Sequence, residues 1–286
     1  MGSSILCRLL LVVITILEGG LVSATMVRYA PGFGADERQL DARLSSDSIR
    51  AIQNANVAER NIVRFYVASI GRTFRGDLGI SRSLNRPVRQ LLQERATVTA
   101  EVAGKGLALA WSAAAAIVFA SWFLRTPAFA VPITLFSGTL LCLPAGVLAL
   151  LAILLNQPAF LVIALIVYPK VQSYLSNLVE AARGMPHIIT ARAKGTSDPR
   201  ILLWHVIPVI KREVLALAGV SIGLAIGAAI PVEALCGIPG IGQLAWQSAM
   251  GRDLPLLNYV ATLVIACVVL ANSGADLLSE ERRQPA

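Results

Sequence analysis

Two histidines and a glycine-lysine-glycine sequence are the residues of this chain whose types could bind a metal or a phosphate. His187 and His205 both lie in one short polar stretch, where a surface or capping role is favoured over metal ligation. The sequence AGKG at 103–106 lacks the first glycine of a nucleotide-binding P-loop and lies inside an apolar run. We therefore predict neither a metal site nor a nucleotide site in this chain.

The cysteines and serines point away from covalent catalysis. The four cysteines lie in or beside apolar runs without C-x-x-C spacing, which favours small hydrophobic residues over a disulfide framework or a metal site; they are Cys7, Cys142, Cys236 and Cys267. No combination of serine, histidine and aspartate stands in a context that suggests a nucleophile. The sequence thus predicts no catalytic residues and no cofactor, and any ATP hydrolysis would belong to another protein.

Composition places these residues in a membrane. The chain has 286 residues, of which 56% are hydrophobic and 15% charged, with a mean hydropathy of +0.67. The apolar residues form long continuous runs, which indicates helices and not a β-barrel. The net charge of +8 does not indicate nucleic acid, because the arginines of 28–95 are interspersed with acidic residues.

The apolar runs predict an all-α membrane protein with six transmembrane helices, since each run reaches the roughly 20 residues that cross a bilayer. The predicted spans are 5–27, 99–124, 128–155, 159–178, 214–234 and 254–278. The first has an alternative interpretation as a cleaved signal peptide, because Arg8 precedes it and LVSAT ends it. Glu18 and the length of the run favour a retained anchor.

Basic residues in the short loops predict the orientation. The connection between the fourth and fifth spans carries six of them, Arg183, Arg192, Lys194, Arg200, Lys211 and Arg212. The short loops that would lie on the other side of the membrane, near Asn156 and Arg252, hold one basic residue between them. Both termini are therefore predicted to be cytoplasmic. The first transmembrane helix is then assigned to 1–27, a small helical extracytoplasmic segment to 28–98, the transmembrane core to 99–281 and a frayed cytoplasmic tail to 282–286.

Five ionisable residues inside the predicted spans require partners or a function, because charge in hydrocarbon is costly. Glu101 and Lys105 are four residues apart, which predicts an ion pair on the helix surface. Asp276 is near a span end and is expected to pair or to extend towards the headgroups. Glu18 and Glu233 fit either a translocation path or a structural partner, and the sequence leaves both interpretations open.

The stretch HIITARAKG predicts a short surface helix at about 186–199, between prolines. We expect Ile188, Ile189 and Ala193 on one side of it, with Arg192 and Lys194 exposed. Gly195 is expected to end the helix in the left-handed conformation, and Pro208 to begin the next helix. A plain solvated loop is the alternative.

This stretch resembles the cytoplasmic EAA loop of ABC importer permeases, in which a glycine ends a short helix and a proline follows thirteen residues later, as Gly195 and Pro208 do. The literal EAARG at 180–184 has no proline at that distance, so the alternative register is less suitable. TARAKG is similar to the peptide and nickel transporter branch. The resemblance assigns ATPase docking to a coupling helix and its flanks: Thr190, Ala191, Arg192, Ala193, Lys194, Gly195 and Pro208.

Other stretches resemble the same branch in the same order. They are MVRYAPG at 26–32, FRGDLGISRSLNRPVRQLLQERAT at 74–97 and GIPGIGQLAWQSAMGRDLP at 237–255, together with Asn272 and Asp276 in the last span. Two departures limit any inference about substrate: Phe33 stands where the branch has an acidic residue, and the loop LLNQPAF is short.

The resemblance implies a permease subunit of an ATP-driven importer for peptides or a related small solute such as a nickel chelate. Its partners would be a second homologous permease, two ATP-binding subunits, an extracytoplasmic solute-binding protein and the lipid membrane, with no nucleic acid. The alternative is a membrane-anchored sensor or assembly factor whose extracytoplasmic segment binds a partner and which transports nothing.

Overall fold

The computed structural model describes residues 2–29, 62–124 and 126–280, and the regular elements of this part are helical. In chain order they are α1 (Gly2–Tyr29), α2 (Ile62–Phe74), α3 (Val88–Phe123), α4 (Pro127–Cys142), α5 (Ala145–Leu154), α6 (Ala159–Arg183), α7 (Pro186–Ala193), α8 (Asp198–Ile201), a π-helical turn (Leu202–Val206), α9 (Ile207–Cys236), α10 (Ile241–Met250) and α11 (Leu254–Glu280). For these residues the prediction of an all-helical fold is confirmed.

Several of these helices are long and apolar enough to cross a membrane. In the described part of the chain there are four, in α3, in α6, in the continuous helical run Asp198–Cys236 and in α11. The bent pair α4–α5 makes five if it counts as one span. The apolar stretch Leu10–Met26 of α1 is shorter than the other spans. The chain is therefore a multi-pass membrane protein, while the six-span topology remains a prediction.

The predicted span over 128–155 is not one continuous helix but the bent pair α4–α5. The chain bends by 100° between α4 and α5. Leu143 is extended, with φ −84° and ψ 124°, because it precedes Pro144, whose ring disfavours the helical conformation of the residue before it. Pro144 also has no N–H to continue the hydrogen-bond ladder of α4. The length of the apolar run therefore indicates a membrane segment but does not show the break inside it.

Contacts divide the chain into two compact units. The first comprises Met1–Thr97 and Pro239–Ala266. Its apolar core joins the start of α3 to α10 and the first half of α11, with Leu91, Leu244 and Leu256 buried at its centre. The buried carboxylate of Asp253 closes this core, because it accepts hydrogen bonds from Ser81 Oγ at 2.7 Å, from the Ser83 main-chain N–H at 3.0 Å and hydroxyl at 3.1 Å, and from Leu256 N–H at 3.2 Å.

The second unit comprises Val98–Ile238 and Cys267–Ala286. Within it, α6 packs along α9 and α4, and small residues allow the helices to approach closely. A Cβ built on Gly106 would lie 2.8 Å from the main-chain oxygen of Phe160 and from the Ile163 side chain, so only glycine permits this approach of α3 to α6. Trp111 of α3 donates its Nε1–H to Ser221 Oγ of α9 at 2.9 Å.

Candidate functional site

Two residues, Gly184 and Met185, separate α6 from α7, and the start of α7 follows from a local rule. Gly184 ends α6 in a right-handed helical conformation, with φ −78°. Met185 is extended, as the residue before a proline prefers, and Pro186 occupies the first turn of α7, where its missing N–H costs nothing. The eight residues of α7 are thus set apart from the long helix before them.

Gly195 ends α7 in the predicted left-handed conformation, with φ +79°. The Gly195 N–H donates to the Arg192 carbonyl at 3.0 Å, and the Thr196 N–H donates to the Ala191 carbonyl at 3.2 Å. These two bonds form a Schellman cap, which satisfies carbonyls that the end of a helix leaves unpaired. The conformation of Gly184 is right-handed, so Gly195 is the residue that ends a helix in the way the sequence pattern requires.

The buried face of α7 is formed by Ile188 and Ala191, which are three residues apart. They enter an apolar cluster, the α7 seat, whose members come from α3, α6, α8, the π-helical turn and α9; the others are Trp122, Val179, Ala182, Ile201, Leu202, Val206 and Ile210. The seat holds α7 against the transmembrane helices on both sides of it in sequence.

The predicted apolar side of α7 is partly wrong. Ile189 is 57% exposed and Ala193 is also exposed, whereas Ala191 is buried. The reason is helical geometry: Ile188 and Ala191 lie on one face, and Ile189 is rotated by about 100° from Ile188. Ala191 therefore supports α7 from within and is not available to a partner.

The remaining predicted docking residues are exposed; they are Thr190, Arg192, Ala193, Lys194, Gly195 and Pro208. Five of them, Thr190 and residues 192–195, lie at the end of α7. Arg192 also contacts Asp198 at the start of α8, with 3.4 Å between Nη2 and Oδ1. Pro208 lies beyond α8 and the π-helical turn. The exposed surface of α7 is therefore short and basic.

Pro208 lies in the first turn of α9, where the sequence analysis expected a helix to begin. The helix does not stand alone, because α9 continues the helical run that starts at Asp198. The π-helical turn precedes it, and the Ile207 N–H donates to the Leu202 carbonyl five residues back. The lost hydrogen bond of a proline and the wider π turn fall at the same point of the helix. Two apolar residues of this turn, Leu203 and Trp204, are exposed.

Trp122 and Arg183 were missed by the sequence analysis. Trp122 is fully buried in the α7 seat, and its Nε1–H donates to the Asp198 carbonyl at 3.2 Å. The guanidinium carbon of Arg183 lies 4.5 Å from the centre of the Trp122 ring, and Arg183 Nη2 donates to the Ser121 carbonyl at 3.2 Å. Two features of the sequence could have indicated this contact. One is the tryptophan at the end of the second predicted span, and the other is the basic connection between the fourth and fifth predicted spans.

Helix α6 carries a polar stripe along one side. Its members recur at intervals of one, three and four residues, which places them on one face; they are Gln172, Ser173, Ser176, Asn177 and Glu180. Ser173, Asn177 and Glu180 are exposed, and Gln172 is buried with no hydrogen-bond partner for Oε1 among the described residues. Four of the five, together with residues of α3 and α4, line a cleft of about 470 Å³.

The other ionisable residues that the sequence analysis singled out have different surroundings. Glu101 and Lys105 form the predicted ion pair, with 2.5 Å between Oε1 and Nζ. Glu233 is completely buried near the end of α9, so it does not line an open path in this conformation. Glu18 is exposed on α1. The side chain of Asp276 lies outside the described side chains, as does Phe33.

No group of three histidine, cysteine, aspartate or glutamate side chains is close enough to hold a metal ion in the described part of the chain. His187 is exposed on the first turn of α7, and His205 is half-buried in the π-helical turn. Cys142, Cys236 and Cys267 are free thiols. The candidate site is therefore a set of surfaces and a polar cleft.

The described part of the chain defines a class, that of multi-pass helical membrane proteins with a short capped helix between two spans, and comparison with known proteins gives the family. Residues 106–280, more than half of the chain, match the family of the binding-protein-dependent transport system inner membrane component. The chain belongs to this family, the permeases of ABC importers.

Three bacterial proteins are among the relatives of this chain. A Brucella abortus protein named as a peptide transport system permease is 28% identical over 231 residues, covering 72% of this chain and 74% of the relative. A Brucella ovis protein named as a peptide permease is 30% identical over 107 residues, covering 37% of this chain and 34% of the relative. The Staphylococcus aureus nickel import system permease protein NikB is 24% identical over 294 residues, covering 96% and 89%.

Proposed function

We propose that this chain is one of two permease subunits that together form the path of an ATP-driven importer for peptides or a related small solute such as a nickel chelate. The partners are a second homologous permease, two ATP-binding subunits and an extracytoplasmic solute-binding protein. The family match supports the importer, and the names of the relatives support the substrate range. Both termini are cytoplasmic in this proposal, and α7 faces the ATP-binding subunits.

The coupling surface is the exposed end of α7, formed by Thr190, Arg192, Ala193, Lys194 and Gly195. Its support is the geometry of the α7 seat, where Ile188 is completely buried between α6 and the start of α9. A close-packed core transmits displacement and does not absorb it. A partner that moves α7 therefore also moves α6 and the π-helical turn.

The polar stripe of α6 lines the translocation path. Exposed polar side chains in a membrane-spanning helix are costly against lipid, so they face water, a cavity or another subunit. Gln172 and Asn177 can each donate and accept hydrogen bonds, which suits the peptide groups of a substrate. Because the stripe and α7 belong to consecutive helices, a displacement of α7 alters the width of this path. ATP binding then acts as a bias between two conformations of the permease pair.

The single observation that carries the proposal is the short, rigidly seated and basic surface of α7 directly after a spanning helix with a polar stripe. The test is uptake of radiolabelled di- and tripeptides and of nickel by membranes that contain the whole transporter. Asn177→Leu is expected to lower uptake several-fold while the ATP-binding subunits still co-purify, because the coupling surface is unchanged.

Tyr174→Leu is the matched control, since Tyr174 is exposed on the same helix but off the polar stripe. It is expected to leave uptake near the wild-type level. Equal uptake by the wild type, Asn177→Leu and Tyr174→Leu would show that the polar stripe does not line the translocation path. If no ATP-binding subunit co-purifies with the wild-type chain, the importer itself is excluded. That result would favour the alternative of a membrane-anchored sensor or assembly factor.

A further inference from the structure

Arg183, the last residue of α6, lies in the wall of the polar cleft and contacts three different groups there. Its Nη1–H donates to Glu180 Oε2 at 3.0 Å, and its Nη2–H donates to the Ser121 carbonyl at 3.2 Å. Its guanidinium carbon lies over the Trp122 ring, 4.5 Å from the ring centre. A planar guanidinium donates from its edge and stacks through its face at the same time, which the ammonium of a lysine cannot do. The Arg183 side chain therefore holds the end of α6 to the end of α3.

Trp122 extends this contact from the cleft to α7. Its ring is completely buried in the α7 seat, and its Nε1–H donates to the carbonyl of Asp198, the first residue of α8, at 3.2 Å. The Asp198 side chain in turn contacts Arg192 of the coupling surface. A continuous set of contacts therefore runs from Glu180 in the cleft to α7, and all its members belong to the second unit.

The two ends of this network differ in burial. The Glu180 side chain is 72% exposed, whereas that of Arg183 is 20% exposed and Trp122 is fully buried. An ion pair with an exposed member contributes little to stability, while a cation over an aromatic ring contributes more once water is excluded. The Glu180 contact is therefore the one that a change in the cleft breaks first, and the contact with Trp122 is the one that the fold maintains.

We propose that Arg183 is a positioning residue that couples the polar cleft to α7. This role rests on the proposed function, in which the cleft belongs to the translocation path and α7 meets the ATP-binding subunits. A movement of α7 and α8 displaces Trp122 and Arg183, and thereby changes the cleft wall at Glu180. Chains of packed and hydrogen-bonded side chains carry coupling between sites in this way. Because coupling is reciprocal, a solute that displaces Glu180 and Arg183 also biases the position of α7.

The test is the number of ATP molecules hydrolysed for each solute molecule imported. It is measured on the purified, assembled transporter in lipid vesicles, with its solute-binding protein and with radiolabelled di- and tripeptides or nickel. A variant that only destabilises the fold lowers hydrolysis and import together, because less transporter is assembled, and it leaves their ratio unchanged. The ratio therefore separates a positioning role from a merely structural one.

Arg183→Lys keeps the charge but loses the stack on Trp122. It is expected to raise the ratio about 5-fold, which is the scale of one cation–π contact. Arg200→Lys is the matched control, because it makes the same replacement at an exposed position of α8 and is expected to keep the wild-type ratio. Glu180→Ala removes the cleft end of the network and is expected to raise the ratio about 2-fold, since an exposed ion pair is weak.

A double variant tests whether Arg183 and Trp122 act as one unit. Trp122→Phe keeps an aromatic face but has no N–H for the Asp198 carbonyl, so it is expected to raise the ratio about 5-fold, the scale of one buried hydrogen bond. The combination of Arg183→Lys with Trp122→Phe is expected to stay within about 2-fold of the larger single effect, because residues of one network are not additive.

Four results would overturn the role of Arg183 alone. They are a wild-type ratio in Arg183→Lys, an equal rise in Arg200→Lys, a wild-type ratio in Glu180→Ala, and single effects that multiply in the double variant. Each leaves the proposed importer intact, because the wild-type transporter still imports solute at the expense of ATP. A wild-type transporter that imports neither peptides nor nickel refutes the proposed function itself, and the role of Arg183 with it.

Discussion

Replacement of Gly195 by valine tests the end of α7 most directly. At φ +79° a residue with a Cβ is strained, and for a β-branched residue the cost is about 1–2 kcal/mol. No atom lies within 4 Å of a Cβ built at Gly195, so the cost is torsional and does not include a clash. If valine leaves the left-handed region instead, the two cap bonds from Gly195 and Thr196 are lost, at about 1 kcal/mol each.

Either route disfavours the native end of α7 by about 1–2 kcal/mol, which is a factor of about 5 to 30 in its population. Gly195→Val is therefore expected to reduce co-purification of the ATP-binding subunits, or to uncouple ATP hydrolysis from uptake, with membrane insertion unchanged. The assay is co-purification and substrate uptake in the same membranes. Gly195→Asn is expected to remain near wild type, because asparagine tolerates the left-handed conformation.

Gly184→Val is the matched control in the alternative register. Gly184 is right-handed, and the nearest atom to its built Cβ is the Ala181 oxygen at 3.8 Å, an ordinary contact. Its effect is expected to be within about 0.5 kcal/mol, as for most surface substitutions. If Gly184→Val is the more damaging variant, the choice of Gly195 is refuted. If neither variant alters association or uptake, α7 is not the coupling element.

Three further predictions concern the seat, the first unit and the orientation. Trp122→Phe is expected to destabilise the purified protein by about 1–3 kcal/mol and to weaken ATPase association, because the bond to the Asp198 carbonyl and part of the buried ring are lost; thermal unfolding and co-purification measure this. Asp253→Ala is expected to cost about 2–4 kcal/mol in thermal unfolding, because the hydroxyl and main-chain donors around it lose a charged acceptor. In a cysteine-free background, Ile80→Cys is expected to react with an impermeant thiol reagent from outside the cell, and Lys194→Cys only after permeabilisation.

Each of these predictions has a control. Trp204 is 73% exposed, so Trp204→Phe should change the unfolding temperature little, and an equal shift would contradict the role of Trp122. Asp77 is exposed and accepts one bond, from the Gly79 N–H at 3.0 Å, so Asp77→Ala should cost less than Asp253→Ala. Labelling of Lys194→Cys in intact cells, with Ile80→Cys protected, would invert the proposed orientation.

The α7 region shows which features sequence reasoning reaches. The left-handed Gly195 and the Glu101–Lys105 pair were predicted correctly because each depends on a few consecutive residues and on local helix geometry. The sequence did not predict that Ile188 is buried and Ile189 exposed. Two adjacent isoleucines are equivalent until the position of α7 against Trp122 and Ile201 is known.

By itself the sequence determined the membrane class, the helical composition and the family, because hydropathy, apolar run length and motif order are properties of the chain in one dimension. The tertiary structure decided what depends on neighbours distant in sequence. It placed Trp122 under α7 and Arg183 over its ring, and it removed Ala191 from the exposed surface. It also placed the bend at Pro144 and the π-helical turn before Pro208. A proline limits its own hydrogen bonding, but whether a helix bends, breaks or widens there is settled by the packing around it.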